Sequence, residues 1–206
     1  EAVGMQLELM VDCNQGWRMP WDIAQPWTLD HATSVAQVLA DNSVYWMEEP
    51  LHRGDYKGMT ELRKRVNIRI AGGELTREPY EFRELLERDC FDVFQPDVVC
   101  TQGITGLAKF ARQVEAAGKI FTPHTWGTGI GVMGNLHVTA GTVDTPFIEF
   151  PFDPPEWTNE RRDYMMKETI EADGEGWIHL SDRPGLGFEL NEDVLRATAS
   201  SQATFS

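Results

Sequence analysis

Cysteine is scarce in this chain, and long apolar runs are missing. The three cysteines, Cys13, Cys90 and Cys100, are odd in number and show no CxxC spacing, which excludes a disulfide framework and a thiolate zinc site. This cysteine usage predicts a reducing, cytoplasmic setting. No apolar run reaches the length of a membrane span, so a membrane partner is not expected.

Basic residues are also in short supply. The chain has 18 lysines and arginines against 33 aspartates and glutamates, which gives a formal net charge of −15. Proteins that bind nucleic acid displace counterions with clustered Lys and Arg, so nucleic acid is excluded as an expected partner. The acidic surplus fits either solubility or carboxylates gathered around a divalent cation, and composition leaves both open.

Internal repeats and low-complexity segments are absent, whereas an alternation of short apolar runs and longer helix-periodic segments is present. The 206 residues, 41% of them hydrophobic, can bury one sizeable core. The alternation predicts repeated βα units, and therefore an α/β fold with a parallel sheet. The predicted strands are Gln6 to Asp12, Val44 to Glu48, Ile68 to Glu74, Val93 to Asp97, Ile120 to His124 and Phe147 to Phe150. The predicted helices are His31 to Ala40, Met59 to Val66, Tyr80 to Arg88 and Thr105 to Ala117, with Gly118 as a C-cap.

An ionisable residue lies at the end of every predicted strand or one residue before it. These residues are Asp12, Glu48, Glu74, Asp97, His124 and Glu149. In a (β/α) barrel all C-terminal strand ends meet at one mouth, whereas a doubly wound sheet uses the strands flanking one switch point. The pattern therefore favours a TIM-type barrel over residues 1–150. Residues 151–206 form a predicted C-terminal segment that packs back on the barrel or on a capping region, with a helix over Glu156 to Ala172.

Three of these carboxylates, Asp12, Glu48 and Glu74, end successive strands. Magnesium takes a few carboxylates in an oxygen shell and keeps positions open for substrate, so the set indicates a catalytic Mg²⁺ site. A single carboxylate at a strand end is more often a helix cap or a surface charge. Three in consecutive strands favour the metal site.

Asp97 and His124 end the next two strands, which predicts that their side chains lie within hydrogen-bonding reach. A carboxylate bonded to one imidazole nitrogen fixes the tautomer and leaves the other nitrogen to take or give a proton. The pair indicates a general acid/base unit, although a lone His is more often structural. Glu149, if protonated, could donate a hydrogen bond to a developing enolate. Further predicted substrate contacts are Asn14, Glu49 and Trp126.

A glycine motif from Gly129 to Gly134 satisfies GxGxxG and has an acidic residue, Glu149, about 20 positions after its first glycine. A dinucleotide fingerprint belongs to the opening βαβ of a nucleotide domain, and here only one predicted strand follows. A barrel loop lining the site, with helix N-terminal amides facing an anionic substrate, is the preferred interpretation.

Taken together, these segments resemble the enolase superfamily, in its mandelate racemase and muconate lactonizing enzyme-like branch that includes acid-sugar dehydratases. The resemblance covers almost the whole chain. It is carried by Val11-Asp12-Cys13-Asn14-Gln15-Gly16-Trp17, Trp46-Met47-Glu48-Glu49-Pro50, Gly73-Glu74, Gln95-Pro96-Asp97, Pro123-His124 and Pro184-Gly185-Leu186-Gly187. It implies that Asp12, Glu48 and Glu74 bind Mg²⁺, that Asp97 and His124 form the acid/base dyad, and that Glu149 contacts the intermediate.

The resemblance also implies what this sequence does not contain. Residues 1–4 resemble the end of the helix before strand 3, so we expect strands 3 to 8 of a (β/α)7β barrel, without the N-terminal capping domain and the first two strands. The base that the family places on strand 2 then has no counterpart here. The segment from Arg18 to Trp27 lengthens the connection after the first predicted strand and is either a substrate loop or an elaboration.

The implied reaction is the removal of a proton beside a substrate carboxylate, with Mg²⁺ as cofactor. His124 acts as base, or as the acid that expels a β-hydroxyl, and Asp97 orients it. The first choice is dehydration of an acid sugar, and the alternative is racemisation or epimerisation of a 2-hydroxy acid. A third hypothesis, from another class, is a non-catalytic barrel fragment or structural subunit. The expected partners are a small-molecule carboxylate and further copies of the chain in a homo-oligomer.

Overall fold

The computed structural model describes residues 7–142, 144–145 and 147–200. Residues 1–4 and Gln6, to which the sequence assigns the end of a helix and the start of a strand, lie outside the described residues. The strands are β1 (Met10–Asp12), β2 (Trp46–Glu48), β3 (Arg69–Gly72), β4 (Val93–Phe94) and β5 (Ile120–Phe121). The helices are α1 (Leu29–Asp41), α2 (Tyr56–Arg65), α3 (Pro79–Glu87), α4 (Gly103–Ala116), α5 (Gly129–Thr142), α6 (Asn159–Arg162) and α7 (Glu192–Thr198).

The five strands form one parallel sheet in the order β1-β2-β3-β4-β5. Each strand pairs with the next strand along the chain, so the order never reverses as it does at the switch point of a doubly wound sheet. This confirms the α/β fold with a parallel sheet. It also fits one wall of a barrel, whose closure and strand numbering stay predictions.

The predicted helices are present to within a few residues at each end. Thr28 caps α1 with its side-chain oxygen on the backbone N–H of His31, and Asp55 caps α2 on the N–H of Gly58. After α4, Gly118 takes the left-handed conformation (φ 70°), as the C-cap prediction requires. Of these caps only Gly118 was predicted, and α1 and α2 begin at Leu29 and Tyr56, before the predicted starts at His31 and Met59.

The sheet has one face covered by helices and an opposite face with a smaller apolar cluster. Met47, Ile70 and Phe94 pack against α1 to α4 in the largest core cluster. Trp46, Ala71 and Val93 point the other way and pack with neighbours that include Tyr45, Ile120 and Phe147. Side chains alternate between the two faces of a strand, so Glu48 shares the second face with Trp46.

The predicted sixth strand, Phe147 to Phe150, is wrong: these four residues are not in a strand. The carbonyl of Phe147 accepts the hydroxyl of Thr122 at 2.8 Å, and the carbonyl of Glu149 accepts the hydroxyl of Thr125. These two carbonyls are thus hydrogen-bonded to threonine side chains, and no backbone ladder to β5 is formed. The segment still runs beside the carboxyl end of β5.

The predicted helix from Glu156 to Ala172 is also wrong except at Asn159–Arg162, the four residues of α6. Arg162 is fully buried and donates to Asp163 at 2.7 and 2.6 Å, to the Pro151 carbonyl at 3.1 Å and to the Ile170 carbonyl at 2.5 Å. The chain then forms an isolated bridge between Met166 and Leu190. These contacts replace the helical bonds that residues 163–172 would otherwise make.

The C-terminal segment packs on α5. Val132, Met133 and Leu136 of α5 form a cluster with Met166 and Ile170. The domain boundary at residue 150 stays a prediction. Within the described ranges, no helix is both long and apolar enough to cross a membrane.

The glycine motif lies inside α5, and the prediction of a loop there is wrong. A Cβ on Gly129 would come within 2.2 Å of Asp163 Oδ1, and one on Gly134 within 2.8 Å of Val98 Cγ1. A Cβ on Gly131 would approach Val99 Cγ2 to 2.9 Å. The glycines therefore allow close packing of this helix against its neighbours.

Candidate active site

The carboxyl ends of the strands bring most of the predicted site residues to one edge of the sheet. Asp12 pairs in register with Glu48, and Glu74 follows β3 by two residues. Phe94 and Phe121 pair with each other in the sheet. Asp97 comes three residues after Phe94, and His124 comes three residues after Phe121. Parallel register thus places residues from distant parts of the sequence beside one another.

His124 forms the best-defined pair of the site. Its Nδ1 lies 2.9 Å from Asp97 Oδ2, and its Nε2 lies 3.4 Å from Glu74 Oε2. Burial would lower the pKa of His124, but the hydrogen bond to Asp97 and the charges of Glu149, Glu74 and Asp97 outweigh it and raise the pKa to about 9. The imidazole is therefore held between carboxylates that stabilise its protonated form.

Asn135 of α5 holds both members of this pair by hydrogen bonds. Its side-chain nitrogen donates to Asp97 Oδ1 at 3.1 Å and to the His124 carbonyl at 2.8 Å, and its oxygen accepts the Val98 N–H at 3.0 Å. Asn135 is fully buried. Sequence reasoning missed it, although an amide within the apolar run Val132-Met133-Gly134-Asn135-Leu136 is a signal that could have identified it.

Glu149 also lies near His124, although no strand holds it. Its Oε2 accepts the backbone N–H of Thr125 at 2.6 Å. Burial raises the pKa of Glu149, and the charge of His124 opposes that rise. The threonine that follows His124 thus binds Glu149 through both its amide and its hydroxyl.

Each of the three predicted metal ligands has a hydrogen-bond donor from the protein. Asp12 accepts the backbone and side-chain N–H groups of Asn14 at 2.9 and 2.6 Å. Glu48 Oε2 accepts Gln95 Nε2 at 2.7 Å, and Glu74 Oε1 accepts Trp17 Nε1 at 3.1 Å. In the described part of the chain, no three His, Cys, Asp or Glu side chains converge on a point that would hold a metal ion.

Burial and mutual repulsion perturb these carboxylates. Burial raises the pKa of Glu48 to about 7; the negative charges of Asp12, Glu149 and Glu74 add to the rise, and the hydrogen bond from Gln95 opposes it. Burial likewise raises the pKa of Glu74. Glu48 and Glu74 are buried, whereas Asp12 is exposed. Buried carboxylates favour either protonation or a nearby cation.

The predicted substrate contacts fall into two groups. Asn14 and Trp126 are exposed, and Asn14 has a left-handed backbone (φ 51°). Glu49 is buried, also left-handed (φ 42°), and packs against Gly16, where a Cβ would come within 2.0 Å of its Oε1. Positive φ at two non-glycine residues beside Asp12 and Glu48 indicates backbone strain at this edge of the sheet.

The sequence profile of the family described as "Enolase C-terminal domain-like" matches residues 1–194. The chain belongs to this family. Among curated relatives, arabinonate dehydratase of Saccharolobus solfataricus is 31% identical over 195 residues, which cover 94% of this chain and 48% of the relative. L-rhamnonate dehydratase of Saccharopolyspora erythraea is 33% identical over 199 residues, which cover 94% of this chain and 47% of the relative. The chain spans about half the length of the curated relatives it matches.

Solved structures agree with this assignment. The 3,6-anhydro-D-galactonate cycloisomerase of Zobellia galactanivorans superposes with a TM-score of 0.81 at 30% identity, covering 95% of this chain and 51% of that protein. A racemase of Streptomyces coelicolor with bound magnesium superposes with a TM-score of 0.77 at 27% identity, covering 95% of this chain and 47% of that one. The enolase-superfamily resemblance, in its mandelate racemase-like branch, is confirmed.

Proposed function

We propose that this chain carries the acid/base and cation-binding half of an enzyme that removes the proton beside a substrate carboxylate and eliminates water from an acid sugar. The observation that carries the proposal is the hydrogen bond between Asp97 and His124 Nδ1 at the carboxyl ends of β4 and β5. That bond leaves His124 Nε2, on the side of Glu74, to exchange a proton with substrate.

The surroundings of His124 favour catalysis over a purely structural role. Asp97 is held by Asn135, so the imidazole has a fixed orientation before substrate arrives. In this proposal the neutral imidazole of His124 takes the α-proton and then passes it to the departing β-hydroxyl, which leaves as water. A cation on Glu74 would favour the neutral imidazole, because it would offset one of the charges that raise the pKa of His124. If protonated His124 only supplies the proton to the β-hydroxyl, a second base takes the α-proton. Glu149, anchored by Thr125, faces the same imidazole charge and would contact the oxygen on which negative charge develops.

The donor set fits Mg²⁺ in chemistry, since Asp12, Glu48 and Glu74 offer hard carboxylate oxygens on neighbouring strands. Their raised pKa values argue the same way, because a cation would offset the repulsion between them. Their oxygens now accept protein donors, which a cation would replace. When bound, Mg²⁺ would supply positive charge for the substrate carboxylate and for the charge that develops after proton removal.

Dehydration is the proposed outcome because two curated relatives are named arabinonate dehydratase and L-rhamnonate dehydratase. Reprotonation of the same intermediate would instead give racemisation or epimerisation, in keeping with the neighbour named a racemase. Product analysis separates the two outcomes, since dehydration yields a 2-oxo acid and racemisation leaves the composition unchanged.

The decisive experiment replaces His124 by Asn and measures turnover of a panel of acid sugars with Mg²⁺. We expect a loss of roughly 10²-fold or more, because a positioned general acid/base contributes about 10² to 10⁴ in rate. Mg²⁺ binding by calorimetry should persist. His179→Asn is the matched control, because His179 also bonds an aspartate but is 76% exposed. Unchanged turnover in His124→Asn would refute the proposed role.

A further inference from the structure

The connection between β1 and α1 forms a half-open cavity that the reaction described above does not use. Its volume is about 320 Å³, at the small end of the range for ligand pockets. We call it the loop cavity. Residues that line it include Asn14, Gln15, Trp17, Arg18, Trp21 and Gln25.

The loop cavity adjoins the candidate active site. Trp17, one of its walls, donates its indole N–H to Glu74 Oε1 at 3.1 Å. Asn14, another wall, donates to Asp12 Oδ2 at 2.6 Å. The cavity therefore lies beside the position that a substrate carboxylate near Asp12 and Glu74 would occupy.

The loop that forms the cavity is fixed at its base and at its tip. At the base, the Trp27 N–H donates to Gln15 Oε1 at 3.2 Å, and Gln15 Nε2 donates to the Cys13 carbonyl at 2.9 Å. At the tip, Asp22 closes a turn by accepting the Met19 N–H at 2.6 Å. Binding to a preformed loop costs less ordering entropy than binding to a mobile one.

The lining of the cavity suits a hydroxylated carbon chain. Arg18 donates one hydrogen bond, to the Asp22 carbonyl at 3.0 Å, and makes no ion pair within the described ranges. Its remaining donors, with the side-chain amides of Gln15 and Gln25, can bind oxygen atoms. Trp21, which is 71% exposed, offers an aromatic face to the C–H bonds of such a chain.

We propose that the loop cavity binds the hydroxylated chain of an acid sugar, with Arg18 donating to an oxygen at the end remote from the reacting carboxylate. This inference rests on the proposed function and narrows it. The preferred substrate is an extended polyhydroxylated acid, and a short 2,3-dihydroxy acid such as glycerate leaves the cavity unfilled.

The test compares kcat/KM of the wild type with that of Arg18→Met and Trp21→Ala, using the acid sugar turned over best and, as a short probe that keeps the β-hydroxyl, glycerate. We expect each variant to lose about tenfold or more on the acid sugar, mainly through KM, with less than about twofold change on glycerate. Arg83→Met on the exposed face of α3 and Trp177→Ala, at 66% exposure, are the matched controls. Melting temperatures verify that all four variants fold.

The outcomes separate the inference from the function on which it rests. If the wild type turns over acid sugars and Arg18→Met has unchanged kinetics, the loop cavity does not bind the substrate chain. The proposed function is then unaffected. If the wild type turns over no acid, the proposed function fails, and calorimetry with gluconate and glucarate then tests the cavity. Binding that Arg18→Met abolishes supports it, and absent or unchanged binding overturns it. If Arg18→Met weakens glucarate binding more than gluconate binding, Arg18 binds a terminal carboxylate. If it weakens both equally, Arg18 binds a hydroxyl.

Discussion

The described part of the chain contains two His–Asp pairs with similar hydrogen-bond distances, in very different surroundings. His124 lies 2.9 Å from Asp97 at the strand ends, where the two side chains are 15% and 7% exposed. His179 lies 2.7 Å from Asp173 in the C-terminal segment, where the side chains are 76% and 39% exposed. The hydrogen bond alone therefore does not distinguish a catalytic pair from a surface pair.

The difference lies in what else contacts each pair. Asp97 is also bound by Asn135, and His124 faces Glu74 and the charge of Glu149. Asp173 instead accepts the backbone N–H groups of Glu175 and Trp177, so it organises its own turn. Burial strengthens electrostatic interactions, whereas an exposed pair is screened by solvent. The first arrangement can perturb a bound molecule, and the second stabilises a local turn.

The largest effect is expected from removing the carboxylate of each pair in turn. Asp97→Asn keeps the size of the side chain but permits the wrong imidazole tautomer, so kcat should fall by about 10²-fold. Asp173→Asn should change kcat by less than about twofold. Steady-state kinetics on the same acid sugar measures both, and equal effects would remove the distinction between the two pairs.

A smaller effect is expected from removing Asn135, which donates a hydrogen bond to Asp97 of the buried pair. Asn135→Ala deletes the donor to Asp97 and leaves the Val98 N–H without its acceptor. The free energy of unfolding should fall by about 2 kcal/mol, and kcat should fall about tenfold with KM nearly unchanged. Urea denaturation and steady-state kinetics provide the two readouts. A variant that loses stability but keeps kcat would show that Asn135 does not position the pair.

The smallest effect concerns the pH dependence of the exposed pair. Hydrogen bonds from His179, Trp177 and Glu175 lower the pKa of Asp173 from its ordinary value of 3.8 to about 2. Its contribution to stability is therefore present above pH 3.8 and is lost as the pH falls through about 2. Asp173→Asn should remove this step from an acid titration followed by tryptophan fluorescence. An identical titration of wild type and variant would contradict it.

The sequence predicted the sheet and helices well where local signals act alone. Short apolar runs, helix-periodic segments and the C-cap Gly118 mark helix and strand limits without help from distant residues. The strand at Phe147 to Phe150 and the helix beyond Arg162 failed because tertiary contacts decide them. Threonine hydroxyls bind the 147 and 149 carbonyls, and a buried ion pair redirects the chain after α6.

The sequence likewise predicted the residues of the candidate site that lie at strand ends, but not those that support them. Residues at strand ends could be named because parallel strands bring their carboxyl ends to one edge. Gln95 could not, since its role depends on facing Glu48 across the sheet. Asn135 carried a signal, an amide within an apolar run, but that signal does not show that its partner is Asp97. Functional roles remain proposals for every one of these residues.

The buried ion pair of Arg162 and Asp163 has a consequence for how this family can vary. Asp163 Oδ1 occupies the space that a side chain at position 129 would need. Relatives with alanine or a larger residue at position 129 should therefore carry a smaller or displaced group at position 163, and the two positions should be inherited as a unit. Grafting either one alone between homologues would create a steric clash or leave a buried guanidinium uncompensated.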